Sequence, residues 1–504
     1  MRNNPNFEIK LNLNEYKDKV YACWLGKNIG GTMGTPYEGK KEEQDIQGFV
    51  TKAGEVLPND DLDLQLVWLA AVERCGIRRL NAKTLGEFWL SFIGPHWNEY
   101  GIGKANLKMG LLPPLSGDYH NEWKHSNGAW IRTEIWACLE PGRPDYATKY
   151  AMDDACIDHG TGEGTYAAIF VAAMQSAAFV LKDIRACIEV GLSKIPAESR
   201  MAQSVRLAID CYEKGTPVRD ARNIIQKANA DIGDGWFEAP SNVAYAILGL
   251  LYGEGDFKKS MIYAINCGDD TDCTGATVGA TLGIMYGTAG IPADWTEHLG
   301  DEIVTVSIDK GTLHDIPKTC TELTERVVAQ AMISTPLKHI YPDYCWDWQN
   351  TYLVDGASEI PDGLGERFKS CPLTAQRLSR TLISDSFTEA NDCLQATVSL
   401  ENGSDIGAGE TKKITLRVNI CDDVIGRIPL RAQVRWWLPE GFAVSGKNHL
   451  VLPAKNGRRS GMELVTEEYM ITAGETVAAA NRIVLEITAN GRASALYLPI
   501  TLIG

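Results

Sequence analysis

The hydrophobic period changes once along this chain, and that change constrains its fold more than any other feature. From about Tyr16 to Val328 apolar residues recur three and four positions apart, the spacing that lines one face of a helix. Alanine-rich runs such as AAIFVAAMQSAAFVL, broken by glycine and proline, belong to the same texture. From about Ser384 the period falls to two, as at Ile414, Leu416, Val418 and Ile420, then around Val434 to Leu438 and Ile483 to Ile487. Alternation of this kind, with Gly/Asn/Asp turns between the runs, puts one face of each strand in a core and the other in water. The reading is a mainly α chain: a helical domain over 1–335, a connector over 336–383 and a small antiparallel β-sandwich over 384–504. The connector, STPLKHIYPDYCWDWQN and then EIPDGLGERFKSCP, carries neither period and reads as a linker or a packing arm.

A chain of 504 residues exceeds what one hydrophobic core usually supports, in keeping with more than one domain. The 49 basic and 65 acidic residues leave a net charge of −16, so the average surface repels phosphate backbones and anionic membranes. Neither nucleic acid nor a membrane is expected as a partner. A small phosphate-bearing substrate stays open, because bound cations reverse the local field in an acidic cleft. The N-terminal stretch MRNNPNFEIKLNLNEYKDKV has no apolar signal region, and the apolar run near Tyr166 to Leu181 is too short and alanine-rich for a span. A cytoplasmic location is the expectation. Thirteen cysteines without a CxxC pair fit neither a disulfide framework nor a zinc finger, and are read as reduced, mostly buried small hydrophobes.

Two acidic turns stand out. Pro58-Asn59-Asp60-Asp61-Leu62-Asp63 precedes an apolar helix, and Gly268-Asp269-Asp270-Thr271-Asp272-Cys273-Thr274 opens another. A helix start gains from one capping side chain and from carboxylates near its dipole, and that alone accounts for part of each turn. Several carboxylates held together also repel one another unless protons or a cation intervene. Asp-x-Asp with hydroxyl neighbours is a hard, oxygen-rich set suited to Mg²⁺, Mn²⁺ or Ca²⁺ rather than zinc. After the second turn glycine recurs every fourth residue, at 275, 279, 283 and 287, a stripe that lets another backbone approach closely. The glycine-rich stretch from Gly26 to Gly39 lacks the Gly-Lys-Ser/Thr ending of a phosphate-binding loop, and reads as a small-residue helix ending in a tight turn that presents Glu38.

Gly30 to Glu38, Asn59-Asp60-Asp61, Ser126-Asn127-Gly128-Ala129 with Arg132, Asp158-His159-Gly160 and Gly268 to Asp272 occur in the order seen in ADP-ribosylglycohydrolases. The chain resembles that family from about Tyr16 to Trp295, including Gly290-Ile291-Pro292-Ala293-Asp294-Trp295, and the resemblance leaves the C-terminal third uncovered. It implies an orthogonal α-helical bundle with two Mg²⁺ ions in a cleft, cleaving the glycosidic bond at ribose C1″ of an ADP-ribosylated protein or a small ADP-ribosyl substrate. Carried onto this sequence, it implies Glu38, Asp61 and Asp270 as catalytic residues. Asn59, Asp60, Asp61, Asp270, Asp272 and Cys273 match the metal positions, and Asn127, Gly128, Ala129 and His159 would meet substrate. Two matches depart from the family's Thr-Asp-Asp and Gly-Asp-Thr-Asp-Thr: threonine is replaced by Asn59 and by Cys273. Asn59 still offers a carbonyl oxygen, whereas a thiol is a poor partner for a hard cation, leaving Asp269 or Thr274 as alternatives. His159 and Arg132 equally suit structural roles, and Trp123, Trp130 and Trp236 suit either base stacking or a core. Two other functions stay open: a hydrolase of another furanoside or nucleoside-like glycoside, and a catalytically silent ADP-ribose binder. Retention of Glu38 with the four matched aspartates speaks against the silent binder.

Overall fold

The computed structural model describes residues 8–233, 235–309, 311–335, 350–391, 393–420, 429–454 and 465–504. Up to Ser334 the regular elements are helices, apart from one short strand at Glu8–Asn12, and at their centre is a pair, Leu13–Gly34 and Thr271–Tyr286. Both are buried on nearly every face, as their lack of a polar side foretells. Glycines set their approach. Gly26 faces Gly279, Gly30 faces Gly275, and Gly283 faces Ala22, so closely that a Cβ on any of these glycines except Gly275 would strike the opposite backbone. The glycine stripe therefore serves packing, as its period suggests. Helices Asp60–Cys75, Glu163–Ala178, Ala239–Gly253 and Cys320–Ser334 surround the pair and complete one core with Trp24, Trp68, Trp89, Trp130 and Trp136 inside it.

The strands are β1 (Glu8–Asn12), β2 (Asn350–Val354), β3 (Ser386–Ala390), β4 (Leu394–Leu400), β5 (Thr411–Ile420), β6 (Leu430–Trp437), β7 (Ala443–Ser445), β8 (His449–Leu452), β9 (Val465–Thr472), β10 (Ala480–Ala489) and β11 (Ala495–Ile503). β1 and β2 form a parallel pair, in register from Glu8–Asn350 to Asn12–Val354. The rest make two antiparallel sheets, ordered β11-β10-β6-β8 and β3-β4-β5-β9-β7. Their inward residues, among them Leu416, Val418, Ile483, Leu485, Leu498 and Ile500, share one core. That core also takes in Leu111 and Leu115 from the helical part of the chain.

The stretch read as a connector does more than link. Part of it, 336–349, lies outside the described residues. The remainder forms β2 and the helices Leu364–Ser370 and Leu373–Thr381, with Leu364 and Phe368 inside the helical core. A buried polar node fastens it: Asp145 accepts from Thr374 Oγ1 (2.7 Å) and from Lys194 Nζ (2.8 Å), whose ammonium also donates to Phe368 O (2.6 Å). Among the described residues no helix is long and apolar enough to cross a membrane.

Candidate metal centre

Three chain segments converge where the central helix pair ends. The Leu13–Gly34 helix passes into a 3₁₀ turn at Thr35–Tyr37, and Glu38 follows at once. The Thr271–Tyr286 helix begins directly after Asp270. Because Gly34 lies against the backbone of Thr271 and Asp272, the end of one helix is fixed beside the start of the other. Thr271 Oγ1 donates to Gly34 O (2.8 Å), and a two-way backbone bridge, Gly39 N to Asp269 O (2.8 Å) and Asp269 N to Lys40 O (2.7 Å), joins the loops beyond. Asp269 takes a left-handed backbone (φ +63°), rare for a residue with a side chain, and Asn242 secures it. Asn242 Nδ2 donates to Asp269 Oδ2 (2.9 Å), while its Oδ1 accepts from the Asp270 N–H (3.3 Å).

The third segment is the start of the Asp60–Cys75 helix. Asn59 is its N-cap, Oδ1 accepting from Asp61 N (2.7 Å), so the oxygen expected to serve a metal is the capping acceptor. Asp60 accepts from Tyr100 Oη (2.9 Å). Asp61, fully buried, accepts from Cys273 Sγ (3.2 Å) and stands 4.0 Å from Lys27 Nζ. Asp63 points elsewhere and accepts from the N–H groups of Val306 and Ser307, anchoring that loop. Two ligand groups result. Glu38, Asp270 and Asp272 each place an oxygen within 4.8 Å of the others, and so do Asp61, Asp272 and the Cys273 sulfur. Asp272 belongs to both groups.

The donor set fits divalent cations on a further observation. Asp61 Oδ2, Asp270 Oδ1 and Asp272 Oδ1 are buried without a hydrogen-bond partner, an arrangement costly for carboxylates left to themselves. The same crowding moves their protonation. The charge on Asp272, then burial, then Asp60 push Glu38 up to about 8. Burial and then Asp272 raise Asp60 to about 6 against the Tyr100 hydrogen bond, and burial foremost holds Asp61 and Asp270 well above the carboxylate range. Positive charge at this place would relieve every one of these shifts. Lys27 supplies some of it. Burial works against its charge, but Glu134 (3.2 Å) and Asp61 hold it raised, and its Nζ also donates to Ile131 O (2.7 Å).

The other expected residues are placed as follows. Asn127 touches the acidic group, its Nδ2 donating to Asp270 Oδ2 (2.6 Å) while its Oδ1 accepts from Trp130 Nε1 (2.9 Å). Gly128 packs against Glu99 and Tyr100, its carbonyl taken by Arg132 Nη1 (2.7 Å), and Ala129 is fully buried. His159 is buried with both ring nitrogens engaged, Nδ1 to Asp158 (2.9 Å) and Nε2 to Ser126 Oγ (3.2 Å). Arg132 pairs with Asp154 (2.8 Å) and Asp158 (2.7 Å) inside the core. Of the two alternatives to Cys273, Thr274 Oγ1 donates to Thr271 O (3.2 Å), which leaves its oxygen lone pairs free, and Asp269 Oδ2 accepts from Asn242 Nδ2 (2.9 Å). Trp130 lies in the core, and Trp236 stands on the surface under the Lys41 ammonium (3.9 Å). Sequence reasoning passed over Lys27, Tyr100, Glu134 and Asn242. Lys27 alone left a local trace, a charge set among Trp24, Leu25, Gly26, Ile29 and Gly30.

The model of the ADP-ribosylglycohydrolase family matches residues 12–331. Among solved structures, an "ADP-ribosylglycohydrolase-related protein complex" is similar at 21% identity over 63% of this chain and 97% of its own, with a TM-score of 0.39. A FixG-related protein from Vibrio parahaemolyticus is similar at 12% identity over 22% of this chain and 97% of its own, TM-score 0.18. The GAE domain of GGA2p from Saccharomyces cerevisiae is similar at 10% identity over 23% of this chain and 95% of its own, TM-score 0.16. No curated protein matches the chain.

Proposed function

The chain belongs to the ADP-ribosylglycohydrolase family, and from that premise we propose a Mg²⁺-dependent glycoside hydrolase that cleaves the bond at ribose C1″ of an ADP-ribosylated protein or small ADP-ribosyl substrate. One observation carries the metal dependence: two acidic ligand groups share Asp272 and leave three buried carboxylate oxygens without partners. Glu38, Asp270 and Asp272 would hold one ion, and Asp61, Asp272 and Cys273 would surround the other, with Asp60 beside them. Divalent cations bound there would supply Lewis-acid charge to lower the pKa of water and orient sugar hydroxyls.

The chain's own groups do the rest. Glu38 stands at the rim, more open than the aspartates, where its carboxylate takes a proton from water attacking C1″ and returns it to the departing group. Asn127 orients the Asp270 carboxylate, and Tyr100 orients that of Asp60. Packing of Gly34 against Asp272 keeps Glu38 in reach of the aspartates without a flexible linker.

The test is release of ADP-ribose from a modified protein, run beside a panel of aryl furanosides, with Mg²⁺ and with chelator. Chelator-sensitive release of ADP-ribose is expected. Activity confined to the furanosides would move the substrate to another glycoside, and full activity in chelator would refute the metal centre.

A further inference from the structure

The two ligand groups that share Asp272 are not chemically alike. Glu38, Asp270 and Asp272 form an all-oxygen set. The other set includes a sulfur, Cys273 Sγ, beside the oxygens of Asp61 and Asp272. We propose that the Asp61, Asp272 and Cys273 group is a site for a thiophilic divalent d-block ion of the Zn²⁺ or Fe²⁺ kind, so that the centre holds two ions of different hardness. The proposal rests on the metal-centre reading above and deepens it.

Several features agree. Cys273 is buried, its sulfur is 3.2 Å from Asp61 Oδ1, and Asp61 Oδ2 and Asp272 Oδ1 are buried without hydrogen-bond partners. Sulfur and oxygen ligands of one tetrahedral ion, with bonds of about 2.3 and 2.0 Å, stand roughly 3.5 Å apart, close to the 3.2 Å between Cys273 Sγ and Asp61 Oδ1. The cysteine lies in the first turn of the Thr271–Tyr286 helix, where burial and then the charges of Asp270 and Asp61 hold its thiol above the ordinary cysteine range, so that its proton leaves only as a cation takes its place. On binding, the S–H proton leaves to water and the sulfur electron pair passes to the ion, with no change of oxidation state. Thiolate gives Zn²⁺ or Fe²⁺ a gain that Mg²⁺ does not share, whereas the all-oxygen group keeps the preference for Mg²⁺ or Mn²⁺.

Cobalt reports the difference directly. The full chain is stripped with chelator, given Mg²⁺ in excess, and titrated with Co²⁺ while the near-ultraviolet thiolate-to-cobalt charge-transfer band is followed. The band should saturate at one Co²⁺ per chain. It should vanish in Cys273→Ser and Cys273→Thr, with Zn²⁺ affinity falling about 10- to 100-fold or more while Mg²⁺ still binds. Far-ultraviolet circular dichroism of both variants checks that they fold. Cobalt bound without the band, or a band that survives both substitutions, overturns the inference and leaves the Mg²⁺-dependent reading standing. A chain that binds neither Co²⁺ nor Mg²⁺ overturns both.

Discussion

Gly30→Ala tests the link between helix packing and the site. A Cβ placed on Gly30 would lie 2.1 Å from the carbonyl carbon of Gly275, while carbon atoms at rest stand about 3.5–4.0 Å apart. The two central helices must therefore part by about 1.5 Å at that level. No side chain can swing away, because the obstacle is backbone. Overpacking of a tight core costs about 1–3 kcal/mol, and replacing glycine by alanine inside a helix returns about 0.5–1 kcal/mol. The net loss should be about 1–2 kcal/mol, read as a lower melting temperature of the helical part. The same displacement separates Glu38 from Asp270 and Asp272, so Mg²⁺ affinity measured by calorimetry should fall together with stability. Gly86→Ala is the control. It is also a buried helical glycine, but its Cβ would meet only the end of the Leu107 side chain, at 3.4 Å. That variant should be neutral or slightly stabilised. If Gly30→Ala melts and binds Mg²⁺ as wild type does, the close approach of the helices is not what holds the site together.

Glu38→Gln should reduce turnover by roughly two to four orders of magnitude while leaving one Mg²⁺ position intact, and wild-type rates in that variant would remove Glu38 from the proton transfer. Lys27→Met leaves Glu134 and Asp61 without their buried cation and should cost about 3–5 kcal/mol in chelator; much of it should return in the double variant Lys27→Met, Glu134→Gln, which denaturant titration can read. A chain ending at Leu382 uncovers Leu111 and Leu115, which lie wholly inside the β core, and should bind a hydrophobic dye and aggregate while retaining Mg²⁺ binding by calorimetry. Loss of Mg²⁺ binding in a truncated chain that keeps its helical content would show that the sheets take part in the site.

The helical and alternating halves, the glycine stripe and the two acidic turns were legible because each is a local pattern with a fixed period or a capping chemistry. What joins them was not. Nothing near Asp270 in sequence announces that Asn127 will bond it, and nothing near Asp61 announces Lys27, since side-chain pairs more than thirty positions apart leave no periodic signal. The same holds for Leu111 and Leu115, which read as ordinary helical-region residues and belong to the β core. Asn59 was readable both as a cap and as a ligand, and its side-chain oxygen caps Asp61 N–H in this structure. Gly128 and Ala129, expected to meet substrate, are packed inside the chain here, Gly128 against Glu99 and Tyr100.

The parallel pairing of β1 with β2 bears on the order of assembly. Asn12, the last residue of β1, caps the helix that leads to Glu38, and its Nδ2 donates to Gly356 O (2.9 Å) beyond β2. Lys10 and Glu359 add reciprocal backbone bonds of 3.0 and 2.8 Å. A ribosome adding about 5–20 residues per second needs roughly 20–70 s to pass from the first strand to its partner. Over the last part of that interval, once Cys273 has been added, the nascent chain contains every metal-site residue, while the strand that anchors the first helix still lacks its neighbour. Closure of the helical domain is thus timed by the arrival of residues that take no part in its chemistry, and a ribosome stalled between Cys273 and Asn350 holds a chain with a complete set of ligands and an unlatched first strand.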